Sequence, residues 1–205
     1  MGTFSGYAHF NRVRSFVNPQ ACPDRAGLAA FQLWFPELFS HYKLIMDGLK
    51  CALPELSFPI PLSIFPGITV NFSGCVTAYR HRDINNLAYG ICTVTPLGNF
   101  DHQTSAQLVL EEPKLVIKVP ALATAFIMSG PCTHSNLPLV PSESQISFTQ
   151  YAAGPIFQFA QNKCLTESAL REAKPETWAE NQKLKEEAWI RGVAMLPTIE
   201  KIIDY

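Results

Sequence analysis

The sequence predicts an α+β fold, mainly β through its middle and helical towards both ends. Three observations carry that prediction: helical periodicity sets in at Arg25, short β-rich runs divided by turn residues fill the middle, and helical spacing returns with higher charge density after Cys164. At 205 residues, with 47% hydrophobic and 16% charged residues, the chain is long and apolar enough for one buried core. We expect one domain over 1–205, with N-terminal helices over about 25–51, a β core over about 65–160 and C-terminal helices over about 165–204.

The first 20 residues have no clear period and receive no assignment. Pro36 is suited to a first helical turn, and Leu38, Phe39, Tyr42, Ile45, Met46 and Leu49 then lie on one apolar face. Prolines at 54, 59, 61 and 66 break any helix and mark an extended connection. Strands are expected at Ile68–Phe72, Gly90–Thr95, Gln107–Glu111, Leu115–Val119, Ala123–Ser129 and Gln145–Ala152. Gly98-Asn99, Glu112-Pro113 and Gly130-Pro131 divide them. No helix-length pattern intervenes, so the strands suit a double-sheet jelly roll, or double-stranded β-helix, better than a βαβ fold. Lys174-Pro175-Glu176 reads as a helix start, with Trp178, Leu184, Ala188 and Trp189 as apolar members. Pro197 ends that helix before a final turn at Ile199, Ile202 and Ile203.

A net charge of −1 gives no general attraction for nucleic acid, so DNA binding would need a local patch. The six cysteines, at 22, 51, 75, 92, 132 and 164, form no CxxC pair, and no run of 18 apolar residues is present. These features argue against a membrane partner and for a reducing, intracellular setting with free thiols. They also disfavour a zinc site. Cys132, two residues before His134, is read as a core or strand-end residue rather than a ligand.

The residues that carry chemistry are His81-Arg82-Asp83 and His134. On a strand, His81 and Asp83 share a face, and a second strand can bring His134 to the same point. Two imidazoles and one carboxylate on one side of an ion suit non-haem Fe(II) and O2 chemistry. The tripeptide alone is a common chance pattern. Its placement adds weight, because the strands between Asp83 and His134 suffice to circle a barrel and return.

The segments "HRDINNLAYGICTVTPLGNFD", "QLVLEEPKLVIKVP", "THSNLPL" and "SFTQYAAGPIFQF", with "FQLWFPELFSHY" and "GVAMLPTIEKI" outside them, resemble one family. It is the TET/JBP-like branch of Fe(II)- and 2-oxoglutarate-dependent dioxygenases, in its fungal, transposon-associated expansion. The resemblance implies a jelly-roll core, one Fe(II) on His81, Asp83 and His134, 2-oxoglutarate and O2 as co-substrates, and oxidation of a methylated base in DNA, above all 5-methylcytosine. A DNA substrate would put the protein in the nucleus. Oligomeric state is not legible.

Carried over by position, Gln145 and Ser147 are the contacts to the far carboxylate of 2-oxoglutarate. The family usually has Arg where this chain has Gln145, and losing a charge-assisted contact of that kind costs on the order of 2–5 kcal/mol. A second departure is "TSAQLVL", which stands where the family tends to have a Gly-Gly pair. A degenerate relative with a binding or assembly role is therefore the alternative, unless a cation such as Lys118 reaches the carboxylate. Asn136 is a candidate support for the ligands, set against an ordinary turn role. A base in duplex DNA must be flipped to reach such a site, and Tyr79, Arg80, Arg82 and Tyr89 are the candidate contacts because they flank the ligands.

Overall fold

The structure is a computed structural model that describes residues 23–56, 60 and 63–203; the unassigned N-terminal segment and part of the proline-rich connection lie outside the described residues. Helix α1 (Pro23–Trp34) is separated from α2 (Pro36–Ala52) by Phe35 alone. Pro36 supplies that break: its ring lacks an N–H and disfavours helical geometry at the residue before it, and Phe35 sits at φ −132°, ψ 56°. Helix α2 buries Leu38, Tyr42, Met46 and Leu49, the expected face, with Phe39 and Ile45 packed at its margin.

Seven strands follow: β1 (Gly67–Asn71), β2 (Cys92–Asn99), β3 (Leu108–Leu110), β4 (Leu115–Ile117), β5 (Ala125–Ile127), β6 (His134–Asn136) and β7 (Ser144–Tyr151). They form two antiparallel sheets, β1-β7-β2-β5 and β4-β3-β6. Six of the seven lie within or close to the expected runs. The seventh, β6, has only three residues and too little apolar alternation to be legible. His81 and Asp83 are not on a strand, contrary to the expectation that strand alternation gives them a common face. His81 makes a single antiparallel bridge to His134, and Asp83 lies in the loop beyond it.

Helices α3 (Gly154–Gln161), α4 (Glu167–Ala173), α5 (Pro175–Val193) and α6 (Ile199–Ile203) complete the chain. Thr166 caps α4, its hydroxyl accepting from the Ala169 N–H at 3.3 Å. Two expected apolar members of α5 are corrected here: Leu184 and Trp189 are about half exposed. The residue α5 buries is Gly192, whose bare Cα lies beneath the Tyr89 ring; an added Cβ would sit 2.0 Å from Tyr89 Cγ. No helix among the described residues is long and apolar enough to cross a membrane.

Two apolar clusters hold the layers together. Phe31, Leu38, Tyr42, Phe65 and Phe157 pack with Ile91 and Ala152, joining the helices to one face of the four-stranded sheet. Tyr42 anchors that contact through its hydroxyl, which accepts from Ile91 N–H at 3.1 Å and donates to Ile91 C=O at 3.3 Å. On the opposite face, Cys92 and Ile127 meet Leu108 and Leu110 of the three-stranded sheet. The sheets therefore face one another, and alternation along β7 turns residues 145, 147, 149 and 151 into the space between them.

Two glycines make opposite predictions. Gly98 has φ +124° and lies against the partner strand, where an added Cβ would meet Ser144 O at 2.3 Å. Gly98→Ala should destabilise the fold by about 2 kcal/mol or more. Gly48 lies within α2 with nothing inside 4 Å of an added Cβ, so Gly48→Ala should stabilise it by about 0.5–1 kcal/mol. Urea unfolding midpoints of the two variants check both signs.

Candidate metal centre

His81 and His134 are paired through their backbones, His81 N–H donating to His134 C=O at 3.0 Å and the reverse bond at 2.9 Å. Residues directly opposite in such a pair project their side chains to one side, and the two imidazole centroids stand 4.2 Å apart. The Asp83 N–H donates to Ser129 C=O at 3.0 Å, which fixes the loop so that the carboxylate returns to the imidazoles. His81 Nε2 lies 3.6 Å from Asp83 Oδ1, and His134 Nε2 lies 3.9 Å from Asp83 Oδ2. One ligating atom from each residue falls within 4.8 Å of the others.

The tautomers follow from the neighbours. His81 Nδ1 is 2.6 Å from Tyr79 C=O, and His134 Nδ1 is 3.0 Å from Cys132 C=O. A carbonyl can only accept, so each Nδ1 carries the proton and donates it, leaving the Nε2 lone pair free for a metal. The set fits Fe(II) by donor type, two neutral imidazoles and one carboxylate. Its spacing is a little wider than the about 3 Å between neighbouring ligands around an ion at about 2.1 Å.

A residue absent from the sequence-based reading supports the carboxylate. Asn86 Nδ2 donates to Asp83 Oδ2 at 3.1 Å and to Ser129 Oγ at 2.9 Å. The signal was present as Asp-x-x-Asn at a loop, a spacing that lets an amide reach back to a carboxylate three residues earlier. Asn136 does not touch the triad: its amide donates to Val76 C=O and accepts from Ala78 N–H, and so holds the segment leading into His81. Cys132 is a half-buried thiol near Thr133 C=O, and its own carbonyl holds His134. On the other side, the Glu112 carboxylate accepts from both Thr133 N–H and Thr133 Oγ at 2.7 Å, clamping the residue before His134.

The triad opens on a cavity of about 520 Å³, within the range of ordinary ligand sites. Cys92, Val94, Leu108 and Val119 form an apolar wall, while Thr69, Asn71, Gln145, Ser147 and Thr149 form a polar one. Burial pushes the Cys92 thiol up to about 12, so it faces the cavity as a neutral S–H. Gln145 and Ser147, which the sequence assigned to the co-substrate, line the same cavity as the three ligand candidates. Lys118 does not: its ammonium bonds Gln103 Oε1 at 3.0 Å, and it is not among the lining residues. Arg82 and Asp83 are the charged Arg, Lys, Asp or Glu side chains of the lining. The wall at Gln145, built from β1 and β7, offers a far carboxylate of 2-oxoglutarate amides and hydroxyls but no Lys or Arg of its own, and Arg82, beside the ligand candidates, is the cation of the lining.

The four flanking candidates for DNA contact separate. Tyr89 is 6% exposed and belongs to the core, and Arg80 is occupied by Glu111. Tyr79, 86% exposed, and Arg82, exposed at the cavity, remain. Of the two arginines, Arg82 lines the cavity and Arg80 pairs with Glu111.

Asn86→Ala should weaken metal binding about 10- to 100-fold, the usual effect of removing a group that orients a ligand. Anaerobic Co(II) titration read by visible absorption checks it. The Glu112 clamp predicts an acid titration. Donation from Thr133 holds the Glu112 carboxyl near 2, below its ordinary 4.5. A depressed folded value means that its stabilising contribution is present above 4.5 and is lost as pH falls through about 2. The Thr133 amide shift in NMR should titrate near 2, and Thr133→Val should move the Glu112 midpoint up towards 4.5.

No family model and no curated protein matches this chain. Among solved structures, NgTET1 in complex with 5mC DNA aligns with a TM-score of 0.39 and 16% sequence identity, covering 55% of this chain and 47% of that chain. This chain thus spans about half the length of that neighbour.

Proposed function

We propose that the chain is a mononuclear non-haem Fe(II) oxygenase with a jelly-roll core, holding iron on His81, Asp83 and His134 and oxidising a methylated nucleobase in DNA, 5-methylcytosine first. The observation that carries the reading is the convergence of one carboxylate and two free Nε2 atoms on one side of a cavity. The substrate class rests on the sequence resemblance, and with it a nuclear place of action. Iron in such ligation supplies, when bound, the activation of O2 towards an inert C–H bond.

The remaining roles fall to the chain's own residues. Tyr79 and Cys132 carbonyls orient the imidazoles, and Asn86 holds the carboxylate. Cys92, Val94, Leu108 and Val119 keep one wall of the cavity dry. A base reaches this depth only when turned out of the duplex, with Arg82 placed for a phosphate and Tyr79 for stacking. DNA affinity is weak, because few cations border the site.

A second reading, a degenerate relative with a binding or assembly role, is favoured by the neutral Gln145. The two are separated by incubating iron-loaded protein in air with 5-methylcytosine DNA and a panel of 2-oxo acids, then measuring the nucleosides by mass spectrometry. Oxidised 5-methylcytosine that disappears in His81→Ala and Asp83→Ala is the expected result. One bound iron with no oxidised base under any co-substrate would favour the second reading.

A further inference from the structure

We propose that the cavity beside the triad takes a metal-chelating 2-oxo acid whose far end is uncharged, in place of a dicarboxylate. The inference rests on the iron-site reading above and deepens it by naming the co-substrate class. The polar wall is built by strand alternation: Gln145, Ser147 and Thr149 from β7 stand beside Thr69 and Asn71 from β1. Every one of these is an amide or a hydroxyl.

Gln145 is the informative member. It is 6% exposed and lines the cavity, and its side-chain amide is not among the orphaned buried polar atoms of the described residues. An amide in the cavity wall offers both a donor and an acceptor to a ligand. Ser147, 7% exposed, already accepts from Asn71 Nδ2 at 2.9 Å, so its own O–H is left to donate into the cavity. Backbone pairing makes this wall rigid. Gln145 N–H donates to Gly74 C=O at 2.8 Å, and its Cα lies opposite Gly98, where no side chain can intrude.

Charge decides the class of ligand. Arg82, the cation of the lining, is exposed and sits between His81 and Asp83 in the chain, while Lys118 is turned to Gln103. A carboxylate at Gln145 would lose its water and gain only neutral donors. An ester or amide carbonyl there would lose little water and satisfy the Gln145 NH2 and the Ser147 O–H. At the other end, two neighbouring oxygens of a 2-oxo acid suit the open side of a facial triad.

The test is anaerobic titration of the Fe(II) protein with 2-oxoglutarate and with its 5-methyl ester, followed by the visible charge-transfer band of the iron chelate. The wild-type protein should half-saturate with the ester at a concentration about tenfold or more below that for 2-oxoglutarate, and Gln145→Arg should reverse the order. Gln145→Lys serves the same purpose should the arginine variant not fold. Equal or tighter binding of 2-oxoglutarate by the wild type overturns the proposal and leaves the iron oxygenase reading intact. Bound iron with no band from either compound also overturns it, because the site then takes no 2-oxo acid. Failure to bind iron at all removes the underlying reading instead.

Discussion

Two reciprocal backbone hydrogen bonds between His81 and His134 are the constraint from which the rest of the site follows. They join residues 53 positions apart in the sequence into a directly opposed antiparallel pair, and opposed residues in such a pair must share a face. Ring proximity at 4.2 Å is then a consequence of backbone pairing and needs no attraction between the imidazoles. Flanking contacts serve the same pairing. Glu112 clamps Thr133 just before His134, and Asn136 holds Val76 and Ala78 just before His81. Asp83 joins because its own N–H is tied to Ser129, the residue that also receives Asn86.

The architecture divides its labour between the two faces of one sheet. Towards the helices, β2 and its neighbours meet an aromatic layer in which Phe31, Tyr42 and Phe157 are essentially inaccessible to solvent. Such a layer is dense and rigid, as close packing of large rings requires. Towards the other sheet, the same strands present smaller and more polar residues, and a cavity results. Period-two alternation along β7 places Gln150 among the buried residues next to Ser63 while Gln145, Ser147 and Thr149 line the cavity. The aromatic layer and the ligand space thus lie on opposite faces of the same strands.

Much of this was legible from residue order. The buried face of α2 followed from 3.6-residue spacing, and six strands followed from β-branched runs between turn residues, because local propensity and burial agree there. The triad was legible as a set of residues but not as a geometry. Strand periodicity gave the right common side for His81 and Asp83 by a wrong route, since one bridge and a loop do the work. Strand β6 was hidden because "HSN" is polar and short, and its pairing is set by β3 and by the distant His81. Leu184 and Trp189 were misread because α5 packs through a bare glycine under Tyr89, which an apolar count does not register. Asn86 was passed over although Asp-x-x-Asn marks its local contact, and Ser129 was hidden because its contact joins loops 43 residues apart.

The central claim is that His81, Asp83 and His134 form one facial iron site through the two Nε2 atoms. A crystal structure of the iron-loaded protein, with anomalous scattering collected at the iron edge, tests it most directly. The account predicts a single iron peak at about 2.0–2.2 Å from His81 Nε2, His134 Nε2 and an Asp83 oxygen, on the cavity side of the triad. An iron peak elsewhere, or ligation through either Nδ1, would contradict it.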